Sequence, residues 1–191
     1  MHDITTILQI LNLLIGMLST AVLGLAIHTI ILKDRFDPIL PQNVKGTSLG
    51  LLMWPGVGGI VDMVLFIAVL VLGRQERYKR KKSYQCLFLF VAGFVFLRPF
   101  VVLVYTYVEY GSAVKDSTVL GDAGYMTVES WACSVGLVDG ASMLCREVRA
   151  ARYLLIPIVV LAAVLVGVAG WIWKVSWRKR EVKDERNSNQ E

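Results

Sequence analysis

Four apolar stretches, each long enough to cross a bilayer as a helix, constrain this chain more than any other feature. They cover about 4–32, 48–73, 84–108 and 152–174. A helix needs about 20 apolar residues to traverse the ~30 Å hydrocarbon core. Buried helices of soluble domains are rarely so long and so free of charge. The expected fold is therefore an all-α integral membrane protein, a four-helix transmembrane bundle over 1–176 with a charged tail over 177–191. Composition agrees, with 55% hydrophobic residues and only 18% charged ones, against about 25% charged in soluble proteins.

The first stretch begins almost at Met1, with no basic segment before it and no convincing cleavage site after it. It reads as a retained signal-anchor helix rather than a removed signal peptide. Gly16, Thr20 and Gly24 fall four apart and predict a small-residue face for close helix packing. The second stretch opens with MWPGVGG, where Pro55 and the glycines weaken the helix. The third contains Arg98-Pro99.

Lys and Arg near the span ends set orientation. The loop between the second and third spans carries Arg74, Arg77, Lys79, Arg80, Lys81 and Lys82 against the single acid Glu76. The tail adds Lys174, Arg178, Lys179, Arg180, Lys183 and Arg186. The other two loops mix acids and bases. Both termini and the basic loop are therefore expected in the cytoplasm, and the 33–47 and 109–151 segments outside or in a lumen. Tyr105, Tyr107 and Tyr110 fit an outer aromatic belt, and Trp171, Trp173 and Trp177 an inner one. The six basic loop residues are candidates for contact with anionic lipid headgroups, at about 1 kcal/mol per Lys or Arg. Topology alone also accounts for them. The tail lacks apolar periodicity after Trp177 and is expected to be disordered near its end.

The long outer loop holds Trp131, Cys133 and Cys145. Cysteines outside the cytosol usually oxidise where geometry allows. A Cys133–Cys145 bridge would close a short loop, worth about 3 kcal/mol in the chain-entropy account. Thr127 is placed to cap a short helix through VESWACSV, with Glu129 in its first turn. ASMLCREVRAARYLL has helix propensity and reads as an outward extension of the fourth helix. The bridge would staple one to the other. The alternative is two free, buried thiols. Cys86, beside the basic loop, is a candidate for S-palmitoylation, or an ordinary membrane-helix thiol.

Asp62 and Arg98 carry charge into the spans. A charge at bilayer depth costs at least about 2.5 kcal/mol on insertion scales, so such residues face the interior and find partners. At 1.5 Å per residue, Asp62 lies about 16 Å above Gly73 and Arg98 about 21 Å above Tyr84. Neighbouring antiparallel helices would bring them together. Gly50, Trp54, Gly58 and Asp62 recur every four residues on one face. The pair reads either as part of an ion or proton pathway or as a structural ion pair fixing register; the latter is favoured.

Nothing reads as a catalytic constellation. CxxC, HExxH, GxSxG and phosphate-loop patterns are missing, and the two histidines, His2 and His28, are far apart. The expectation is a non-enzyme with no metal and no cofactor. There is no N-x-S/T sequon. Four spans, cytoplasmic ends and a larger second outer loop with paired cysteines resemble MARVEL-type tetraspan proteins. ESWAC, a later Cys and ARYLLIP resemble a pattern in uncharacterised multispan proteins of filamentous fungi. Trp131 and Cys133 resemble the W-x-C element of claudins, although claudins carry theirs in the first outer loop. The resemblance implies a multi-pass protein of the plasma membrane or another secretory-pathway membrane. It would organise microdomains or partner proteins through lipid, other membrane proteins or self-association, with no nucleic acid. The alternative is a small channel or transporter subunit that uses Asp62 and Arg98.

Overall fold

The computed structural model describes residues 2–36, 44–45, 47–73, 82–119, 126–135 and 140–188. Among these residues five helices and two short strands follow in order: α1 (His2–Phe36), β1 (Val44–Lys45), α2 (Thr47–Leu72), α3 (Lys82–Val119), β2 (Met126–Thr127), α4 (Val128–Ser134) and α5 (Ala141–Ser188). Four of the helices are long and apolar enough to cross a membrane, over Thr5–Phe36, Leu49–Leu72, Cys86–Ser112 and Ala141–Val175.

The long helices form a ring in the order α1, α2, α3, α5, and α5 packs back on α1. Chain direction alternates around the ring. The C-terminus of α1, the N-termini of α2 and α5 and the C-terminus of α3 meet at one end, the cysteine end. The N-termini of α1 and α3 and the C-termini of α2 and α5 lie at the other.

Each long helix turns a seam inward in steps of three and four residues. In α5 it is Ala141, Leu144, Val148, Ala151, Leu155, Ile158, Ala162, Leu165 and Ala169, all buried. In α1 it is Leu8, Asn12, Ile15, Ser19, Val22, Ala26 and Thr29. Phe88, Ala92, Val95, Pro99, Val102, Thr106 and Glu109 do the same for α3, and Leu52, Pro55, Gly59, Asp62, Phe66 and Val69 for α2. A 3.5-residue repeat is the geometry of left-handed, coiled-coil-like packing. Small residues sit where backbones come close. A Cβ on Gly56 would stand 2.9 Å from the Leu23 Cα, and one on Gly59 would overlap the Ser19 side chain. Gly16 packs under Met63.

Several expectations change here. Of the small-residue stripe, only Gly16 is buried. Thr20 and Gly24 face outward, and a Cβ on Gly24 meets nothing. The interface of α1 with α2 instead follows Asn12, Gly16, Ser19 and Leu23. The third helix does not stop at Val108 but runs to Val119, since nothing between Pro99 and Val119 forbids helix. The tail is helical to Ser188 rather than disordered. It holds no Gly or Pro after Gly170, and Lys, Arg and Glu are good helix formers. At 1.5 Å per residue, the 48 residues of α5 reach about 72 Å, far beyond a bilayer core.

Candidate functional site

Two buried acid–arginine pairs stand out, one inside the apolar zone and one at the cysteine end. In the first, Arg98 Nη1 lies 3.4 Å from Asp62 Oδ2, with side-chain exposures of 12% and 5%. The guanidinium lies along the α2 face that carries Trp54, Gly58 and Asp62. It sits 5.6 Å from the Trp54 ring centroid and 4.8 Å from that of Phe94. It occupies the notch left by Gly58, where any Cβ would overlap Nη1. Gly50, the fourth residue of that face, has open space above it. Pro55 and Pro99 flank the pair. Each removes a helix hydrogen bond and frees a carbonyl one turn earlier. A cavity of about 10 Å³, room for one water, lies between Ser19, Gly59, Asp62, Val95 and Arg98. Arg98 Nε is buried and makes no hydrogen bond among the described residues.

The second pair is tighter. Arg152 Nη2 lies 2.8 Å from Glu129 Oε1, and both side chains are 6% exposed. The Arg152 guanidinium packs against Tyr110 at 4.2 Å and Tyr107 at 4.9 Å from the ring centroids. Arg149 Nε approaches Glu129 to 3.9 Å from the exposed side. Burial pushes the Glu129 carboxyl above the usual range, against the pull of Arg152 and then Arg149. This site too borders a cavity with room for one water, lined by Thr106, Tyr110, Thr127, Glu129 and Arg152 among others.

A small cap carries Glu129. Thr127 is the N-cap of α4 and accepts a hydrogen bond from the Ser130 amide. β2 pairs in parallel with β1, Val44 opposite Met126 and Lys45 opposite Thr127, which ties the segment after α1 to the segment after α3. Cys133 and Cys145 form a disulfide with 5.0 Å between Cα atoms, and this joins α4 to α5. Trp131 is buried and meets Phe36 of α1 edge-on at 6.0 Å. Gly140 turns the chain into α5 with a φ of +88°, a conformation suited to glycine. On the same end His28 and Glu147 pair at 2.8 Å across α1 and α5, with the His half-exposed.

The structure thus brings together Asp62 with Arg98, and Cys133 with Cys145. Cys86 is an exposed free thiol in the first turns of α3. The headgroup candidates Arg74, Arg77, Lys79, Arg80 and Lys81 lie outside the described residues, as does the side chain of Lys82. Among the described residues, no three His, Cys, Asp or Glu side chains cluster as metal ligands do.

Sequence reasoning placed no partner opposite Glu129, yet spacing held the signal. Glu129 and Cys133 are four apart on α4. Cys145, Arg149 and Arg152 are four and three apart on α5. Residues so spaced share a helix face, so joining the cysteines also joins the acid to the arginines. The His28–Glu147 contact had no comparable signal.

No protein family, curated protein or solved structure matches the chain.

Proposed function

We propose that this chain is a non-enzymatic four-span membrane protein that organises lipids or other membrane proteins laterally, with its basic ends in the cytoplasm and its cysteine cap outside. One observation carries the reading: the apolar zone buries several polar side chains while it exposes large apolar ones. Asn12, Ser19, Asp62 and Thr106 are buried, while Met17, Val64, Phe90, Leu97 and Val160 are exposed. Phe90 is 70% exposed. Water would penalise such a surface heavily, at about 25 cal/mol per Å² of apolar area. Lipid does not.

The seams are closed by interior side chains, and the cavities beside the charged pairs hold no more than a water each. That favours a packed scaffold over a conduit. Its working surfaces would be the outer helix faces, the cap, and the basic inner segment with its attraction for anionic lipid. Cys86 adds a site for an acyl anchor at the inner end.

Cysteine-accessibility mapping in intact cells tests the topology. Labelling of the cap, with the 74–81 segment protected, supports it; labelling of 74–81 from outside refutes it. Proximity labelling from the tail should then return membrane neighbours. The second reading, a channel or transporter subunit, draws on Asp62 and Arg98 between two prolines. Flux in proteoliposomes that is lost with Asp62→Asn would favour it over the scaffold.

A further inference from the structure

We propose that the Cys133–Cys145 bond is a thiol-exchange site, opened by a small-molecule thiol, with Cys145 the sulfur attacked and Cys133 the leaving thiolate stabilised by Arg149. The asymmetry comes from the surroundings of the two sulfurs. Arg149 Nη2 lies 3.9 Å from Cys133 Sγ. Arg149 is half-exposed, and its other near neighbour is Glu129, 3.9 Å from Nε. Arg152 sits closer to that carboxylate, at 2.8 Å, so the Arg149 charge is shared between the carboxylate and the sulfur. A cation beside a cysteine favours its thiolate, and exchange is faster when the leaving sulfur is a better thiolate.

One effect opposes this. Cys133 lies in the last turn of α4, where the helix dipole disfavours an anion. That end carries at most about half a charge, and less in a helix of seven residues. The guanidinium carries a whole charge. Cys145 is the fifth residue of α5, past the first turn, where the dipole's help has faded. Both cysteines are partly exposed, Cys145 with its side chain also packed against the core.

In the step, the thiolate of the small molecule attacks Cys145 Sγ. The new S–S bond forms with the attacker's electron pair as the Cys133–Cys145 bond breaks. The broken bond's pair leaves on Cys133 Sγ, which is reduced while the entering sulfur is oxidised to the disulfide level. Cys133 then stays a thiolate beside Arg149, takes a proton from solvent, or attacks back and expels the small thiol. Opening removes the side-chain cross-link between α4 and α5, which the backbone still joins in sequence. Glu129–Arg152 and Trp131–Phe36 are then left to hold α4 in place. The chemistry rests on the disulfide and Arg149, not on the topology proposed above, so either can fail alone.

The test uses the full chain in lipid nanodiscs with reduced glutathione, followed by an acid quench, alkylation and peptide mass mapping. The expected product carries glutathione on Cys145 and the alkyl group on Cys133. Arg149→Gln should slow opening about threefold at low salt, the order expected when a leaving thiolate loses one adjacent cation. Arg149→Lys should restore most of the rate, and high salt should narrow the difference. Glutathione on Cys133, or equally on both, overturns the proposal. So does unchanged opening in Arg149→Gln. If that variant loosens the cap and opens faster, the adduct position in the unaltered chain still decides.

Discussion

The two acid–arginine pairs share a plan and differ in what surrounds them. Each arginine packs against aromatic rings, two around Arg98 and three around Arg152, and stands beside a one-water cavity. At the cysteine end the acid sits on a seven-residue helix that is capped, paired through β1–β2 and locked by a disulfide. In the apolar zone both partners sit on helices that prolines and glycines weaken. The contacts are 2.8 Å at Glu129–Arg152 against 3.4 Å at Asp62–Arg98, although α5, which carries Arg152, also holds Pro157. Around Arg152 the rings are tyrosines at a helix end. Around Arg98 they are Trp54 and Phe94, which turn their other faces outward, Trp54 at 51% exposure. A rigid frame makes a pair specific; a pair in a soft frame has room to move.

Breaking the tighter pair should cost most. Arg152→Met leaves Glu129 buried without its main counter-charge, and removing one partner of a buried pair costs about 3–5 kcal/mol. The loss should also depend on pH. Without Arg152, the Glu129 carboxyl rises further above 4.5, its ordinary value. A raised native value means the folded form holds its proton more strongly. The penalty is thus absent at lower pH and grows as pH rises through that raised value. Thermal unfolding in nanodiscs across pH 4 to 8 measures this, and a pH-independent loss would mean that Glu129 is not the group left stranded.

The inner pair should respond differently to single and double changes. Asp62→Leu alone strands Arg98 in the apolar zone, at about 2.5–3.5 kcal/mol by insertion scales. Asp62→Leu with Arg98→Leu should recover most of that, since an apolar replacement of a buried pair is often neutral or stabilising. If the double variant is as unstable as the single, the pair contributes something that packing cannot replace.

Smaller effects sharpen the comparison. Gly58→Ala places a Cβ on the Arg98 guanidinium and should cost about 1–3 kcal/mol through overpacking. Gly24→Ala meets open space and should stabilise α1 by up to about 1 kcal/mol. Equal effects at the two glycines would contradict the notch. At the cap, Thr127→Ala removes the hydrogen bond to the Ser130 amide and should cost about 1 kcal/mol. A larger loss there would show that the Glu129 pair depends on the start of α4.

What the sequence determined by itself follows from the solvent of each segment. Long stretches with few charges gave four helices, because twenty apolar residues have few other stable forms. Two charges at matched depth on consecutive spans gave the Asp62–Arg98 neighbourhood. Two cysteines flanking Gly136 and Gly140 gave the staple. Which face of each helix points inward was decided only by the tertiary structure. In a soluble helix, apolar residues mark the inner face. Here inner and outer faces are both apolar, so hydrophobicity does not distinguish them. Gly16, Thr20 and Gly24 look alike in the sequence; only backbone approach separates the first from the others. The same holds for Arg152. As the first residue of an apolar stretch it reads as a boundary marker, and it acquires a partner only because the disulfide swings Glu129 over it.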